Sequence, residues 1–129
     1  MTMLPKLAAV IFAKDLEGLA SFYETVLAMP RAAHGQGYTL LESEALQLVI
    51  HAVPEDIASG ISLDPLRLRE DTALKLCFPV ASIGNARLQA ATLGGQLGPA
   101  SREWVFDGIR ACDGYDPEGN VFQLRQAEP

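Results

Sequence analysis

Asp116-Pro117-Glu118-Gly119-Asn120-Val121-Phe122-Gln123-Leu124 decides the reading of this chain. Proline presets φ at the second position of a turn, glycine supplies positive φ, and Asp and Asn side chains bond nearby backbone. Asp116 to Asn120 is therefore a tight turn, and Val121 to Arg125 is the strand that leaves it. Gly108 to Cys112 enters as its partner, and Trp104-Val105-Phe106 extends the strand region upstream. By alternation from Gln123, Phe122 and Leu124 face the helical side of the sheet.

Working outward, Ala73 to Val80 reads as a strand, followed by a helix capped at Ser82. That helix carries Ile83, Ala86, Leu88 and Leu93 and stops at Gly94-Gly95. The first half has the same order. Leu7 to Ala13 is an apolar strand, and Asp15 caps a helix whose apolar positions are Leu16, Leu19, Phe22, Tyr23, Val26 and Leu27. Pro30 lies past that helix, and Gly35-Gln36-Gly37 breaks the chain. Tyr38 to Glu42 and Ala45 to Ala52 pair as strands about Ser43-Glu44. The caps Asp15 and Ser82 lie 67 residues apart (82 − 15), and at that offset Leu16 meets Ile83 and Val26 meets Leu93. The chain is thus α+β and internally duplicated. Module 1 spans about 6–53, a connector with one short helical turn 54–71, and module 2 about 72–126, all in one domain over 1–129.

Composition limits the function. A formal net charge of −6 argues against a nucleic-acid partner, which calls for a basic patch. No apolar run reaches the ~18 residues a membrane span needs. Residues 1–6 lack the basic and apolar regions of a signal peptide, so a cytoplasmic protein is expected. Cys77 and Cys112 lie in apolar segments without a C-x-x-C and are expected to be buried free thiols.

The turn and strand at 116–124 resemble the D-P-x-G-N-x-x-x-L hallmark of the vicinal oxygen chelate superfamily. That group includes glyoxalase I, bleomycin-resistance proteins and extradiol dioxygenases. Asp15-Leu16 with Phe22-Tyr23 and Val26-Leu27 is similar to the family's first helix. The resemblance implies two tandem βαβββ modules, with curved mixed sheets around a cup and helices outside, and it implies a homodimer. In metal-binding members four side chains meet in the cup, usually two histidines on the first strands and two glutamates on the last strands. Carried over one at a time, these positions are Ala8, Lys75, Gln123, and either Gln47 or Leu48, since the register of that strand is open. None is a standard ligand, so no divalent metal or other cofactor is expected.

What remains is a polar cup without metal ligands. Lys75 either snorkels from a strand end into water or directs an ammonium into the cup in place of the metal. In the second case it is the candidate catalytic residue. Gln47 and Gln123 supply amides, and His51 shares a strand face with Gln47. Both His51 and His34 also read as solvent-facing side chains. Tyr38, Trp104 and Phe106 are either packing residues or a flat stacking wall. Arg102 and Arg110 add charge nearby. Two functions follow from the resemblance and these residues. The first is metal-independent binding of a small organic molecule, an antibiotic or metabolite, in the cup or at a dimer cleft. The second is a glyoxalase-type lyase or isomerase acting on a small oxygenated substrate, through Lys75 or a non-standard metal site. A carboxylate or imidazole directed into the same cup as Lys75 would favour the enzyme. A module that has lost its pocket is a third possibility.

Overall fold

The structure is a computed structural model and describes residues 3–129. Met1 and Thr2, which form part of the N-terminal segment read above for a leader, lie outside the described residues. Module 1 runs β1 (Leu7–Ala13), α1 (Leu16–Val26), β2 (Arg31–Gly35), β3 (Tyr38–Glu42) and β4 (Leu46–Ala52). A short α2 (Glu55–Ala58) opens the connector. Module 2 runs β5 (Leu76–Pro79), α3 (Ile83–Thr92), β6 (Gln96–Leu97), β7 (Trp104–Phe106), β8 (Ile109–Tyr115) and β9 (Val121–Ala127). The first sheet has the order β1-β4-β3-β2 and the second β5-β9-β8-β6, with β7 paired to β8. No helix among the described residues is long and apolar enough to cross a membrane.

The helix caps form as the sequence dictates. Asp15 Oδ1 accepts from the Gly18 amide at 3.1 Å, and Ser82 Oγ accepts from the Asn85 amide at 3.1 Å. Each bond satisfies one of the amides that a helix start leaves without an intrahelical partner. Helix α1 buries Leu19, Ala20, Phe22, Tyr23 and Val26, and α3 buries Ile83, Ala86 and Ala90. One core joins the modules on the helical side of both sheets. Phe22 and Tyr23 of α1 pack on Phe122, and Tyr23 also packs on Phe78, at centroid distances of 5.1–6.3 Å within the aromatic group. Phe122 and Leu124 are buried there, as their alternation predicts. Gly95 lets the end of α3 approach α1, since a Cβ there would lie 2.4 Å from the Phe22 ring.

The 116–120 turn clasps the two modules. Asp116 Oδ1 accepts from the amides of Glu118 and Asn120, while Oδ2 accepts from Tyr23 Oη at 2.6 Å and Asn120 Nδ2 at 2.8 Å. Glu118 reaches back to module 1, where its two oxygens accept from the Lys14 and Asp15 amides at 2.8 Å each. Both carboxylates are buried. Gly119 has φ +85°, and a Cβ there would lie 2.3 Å from the Arg67 carbonyl oxygen. The connector docks on this glycine, because the Arg69 amide donates to the Gly119 carbonyl at 2.7 Å.

Several expectations change. The Lys75 strand is shorter than Ala73 to Val80. Strand β5 begins at Leu76, whose pairing with β9 starts at Phe122, and Asn120, just before β9, is taken by a bridge to Arg69 of the connector. Strand β8 runs past Cys112 to Tyr115, reaching the turn. Arg31–Gly35 forms β2 along the edge of β3, a strand the sequence reading left as irregular chain. Cys112 is a buried free thiol, whereas Cys77 is free but exposed, because it lies on the sheet face that carries no helix.

Candidate functional site

The register of β1 against β4 resolves the open position in module 1. Ala8 stands opposite Gln47, and Leu48 is fully buried on the helical side. Gln47 is on the helix-free face, where Nε2 donates to Glu42 Oε2 at 2.6 Å. His51 lies further along the same face, opposite Tyr38 on β3 and 5.8 Å from the Phe12 ring. Its Nδ1 lies 2.8 Å from the Ala52 carbonyl oxygen. His34 pairs with Thr39, whose side is the helical one, so it does not join them. Gln47, His51 and Tyr38 thus share the open face of the first sheet.

Lys75 and Gln123 come together on the open face of the second sheet, through a residue the sequence reading did not single out. Strand pairing sets Cys77 beside Gln123 and Gln123 beside Asp113. Lys75 Nζ lies 3.4 Å from Asp113 Oδ2, and Gln123 Nε2 donates to Asp113 Oδ1 at 3.4 Å. Arg125 Nε in turn donates to Gln123 Oε1 at 2.7 Å, and its guanidinium lies 5.2 Å from the Phe106 ring centroid. Lys75, Asp113, Gln123 and Arg125 therefore form a continuous polar line ending on an aromatic ring. Asp113 and Arg125 were both legible in principle. In a hairpin whose turn is centred on Glu118, residues equally far from it face each other, and 113 and 123 are each five away.

Lys75 and Asp113 open on a cleft of about 530 Å³ walled by Leu68 and Glu70 of the connector, Pro99, Arg102 and Tyr115. Both side chains are about half exposed, so their attraction is screened by water. Trp104 and Phe106 stand on the same face as Asp113, each 38% exposed, so neither is core. Arg110 points to the other side and joins Glu103 and Glu128. Among the described residues no three His, Cys, Asp or Glu side chains gather in a group able to hold a metal ion.

The perturbed groups lie elsewhere. Burial raises the Asp116 carboxyl above its ordinary value against the hydrogen bonds from Tyr23 and Asn120, and burial followed by the Asp116 charge raises Tyr23 well above a normal phenol. Tyr23 is thus a fixed neutral donor, and the 116–120 turn is structural rather than reactive.

A duplicated strand–helix–strands unit, helices on one side of each sheet and a polar line on the open side of the second together define a class. The chain belongs to the glyoxalase-like domain family, whose model matches residues 8–125. It has the fold of the glyoxalase, bleomycin-resistance and dioxygenase group within the vicinal oxygen chelate superfamily. A family enzyme of that group from Burkholderia phytofirmans PsJN is similar, with 17% identity, a TM-score of 0.68 and coverage of 93% of this chain and 96% of that one. The fosfomycin resistance protein FosX of Listeria monocytogenes shares 17% identity at a TM-score of 0.62, covering 98% and 94%. A bleomycin resistance determinant encoded on a transposon gives 17% and 0.62, covering 98% and 100%. No curated protein matches the chain in sequence.

Proposed function

We propose that this chain binds a small organic molecule, without a metal ion, on the open face of its second sheet. The observation that carries this reading is the Lys75–Asp113–Gln123 line beside the 530 Å³ cleft. At the four positions where metal-binding relatives place ligands, this chain has Ala8, Gln47, Lys75 and Gln123. Alanine donates nothing, an ammonium repels a cation, and amide oxygens are neutral donors, so a divalent ion does not fit this set. An ammonium and an amide suit an oxygen-bearing ligand instead, with Leu68, Pro99 and Tyr115 as its apolar wall. Resistance proteins with the same fold, directed at fosfomycin and bleomycin, agree with a small organic ligand. We propose further that the protein is cytoplasmic and works as a homodimer. The exposed Val10 and Phe12 of β1, at 51% and 61%, are the surface that supports dimerisation.

The test is a thermal-shift screen of small anionic and aromatic compounds on protein treated with EDTA. A ligand that binds the folded state raises the melting temperature. At least one compound stabilises wild type and shifts Lys75→Ala less. No stabilisation by any compound, or stabilisation only after metal is restored, overturns the reading.

Asp113 favours a second reading, because a carboxylate beside an ammonium is an acid–base pair. As a lyase or isomerase, Asp113 takes a proton from carbon next to a carbonyl and Lys75 holds the enolate oxygen. Solvent deuterium entering small hydroxyketones, followed by NMR and lost in Asp113→Asn, would establish it. Absence of exchange leaves the binding protein.

A further inference from the structure

The arginines on the α-helices and β-strands divide into two kinds. Arg31, Arg87 and Arg110 are each held by glutamates. Arg125 sits in the middle of β9, half-buried, with no carboxylate in salt-bridge range among the described residues. Its Nε is spent on Gln123 Oε1 and its Cζ lies 5.2 Å from the Phe106 ring centroid, and these two contacts restrict the guanidinium. The two terminal nitrogens have no protein partner among the described residues. No buried side-chain nitrogen or oxygen there lacks a partner, so these nitrogens reach solvent. The result is a planar donor fork, already restricted and unoccupied by protein.

The surroundings define what fits it. Arg125 borders a cleft of about 290 Å³ walled by Cys77, Pro79, Ile109 and Ala127. That volume lies at the small end for ligand sites and suits a single ring. In the ladder Arg125 stands between Pro79 and Ala111, and Ala111 in turn faces Trp104. A guanidinium fork matches a carboxylate with two parallel hydrogen bonds, whereas an ammonium binds as a point charge. The other cation on this face, Lys75, is engaged by Asp113, so a singly charged group is matched better than a dianion.

We infer that Arg125 is the anchor for the carboxylate of a small, flat monocarboxylic acid, whose ring lies in the cleft beside Cys77, Pro79 and Ile109. The inference rests on the proposed small-molecule function and names its ligand class and the residue that selects it. Cation–π contact with Phe106 strengthens the anchor by helping to hold the guanidinium in place.

The experiment is calorimetric titration of benzoate and cinnamate, their amides benzamide and cinnamamide, and phenylphosphonate, each up to 10 mM. Trp104, the single tryptophan, reports occupancy by fluorescence. The acids are expected to bind at least about tenfold more tightly than their amides, the scale of charge-assisted hydrogen bonds. Arg125→Gln abolishes that preference and Arg125→Lys restores part of it. Circular dichroism confirms that each variant is folded. Equal binding of acids and amides, tighter binding of phenylphosphonate, an acid preference that survives Arg125→Gln, or no binding of either acid each overturns the inference. The broader thermal-shift screen decides separately whether the small-molecule reading stands.

Discussion

Replacing Glu118 tests whether the hallmark turn is a clasp between modules. In Glu118→Ala the Lys14 and Asp15 amides lose acceptors at 2.8 Å in a part-buried setting. A hydrogen bond to a charged group contributes about 1.5–3 kcal/mol, and the orphaned donors, being only part-buried, add less than the ~1–3 kcal/mol of a buried one. These overlap, and removing a buried carboxylate recovers part of its desolvation cost, so the net loss is about 3 kcal/mol. With an unfolding entropy of roughly 2.1 cal/mol/K per residue, this lowers Tm by about 10 °C. Glu118→Gln keeps one acceptor oxygen and loses about half as much. Urea unfolding followed by circular dichroism gives the values. A loss under about 0.5 kcal/mol for the alanine variant, against the ~1 kcal/mol expected for the Asp15→Ala cap, would refute the clasp.

Three further outcomes follow from neighbouring contacts. Because burial raises Asp116 in the folded state, its contribution to stability falls as pH rises from its ordinary value of 3.8 through the raised one. Tyr23→Phe removes a bond that favours the carboxylate, so the variant should lose more stability at pH 7 than at pH 4, measured by urea unfolding at both; an equal or reversed difference counts against it. Gly119→Ala, strained at φ +85° and clashing with the Arg67 carbonyl, should lose about 2 kcal/mol or more, with faster hydrogen exchange at Arg69 than in wild type. Val10→Asp with Phe12→Asp should convert a dimer to monomer in light scattering after size exclusion; a wild-type monomer contradicts the homodimer.

Much of the architecture was legible because local signals agreed with the global arrangement. Asp15 and Ser82 marked both helix starts, and the turn at Asp116–Asn120 marked the last hairpin. The strand bounds were less legible. The Arg31–Gly35 strand carries no apolar alternation because it lies at an exposed sheet edge, where burial imposes no pattern. Leu74 and Lys75 look like strand, but the connector reaches the turn first and ends the ladder at Leu76. At the site, Lys75 and Gln123 were visible through the resemblance. Asp113 and Arg125 required strand register, because an acid and an arginine in sequence give no sign of the partner across the ladder. Glu118 looked like one turn residue among several, since its partners lie more than a hundred residues away.

The central claim is binding on the open face of the second sheet without a metal. Its most direct test is the affinity of a compound found by the thermal-shift screen, measured by calorimetry on EDTA-treated protein and again with added Mn²⁺, Ni²⁺, Zn²⁺ or Fe²⁺. The account predicts the same affinity in all of these conditions and a loss of about tenfold in Lys75→Ala. Binding that appears only when one of the metals is present, and that is indifferent to Lys75, would contradict it.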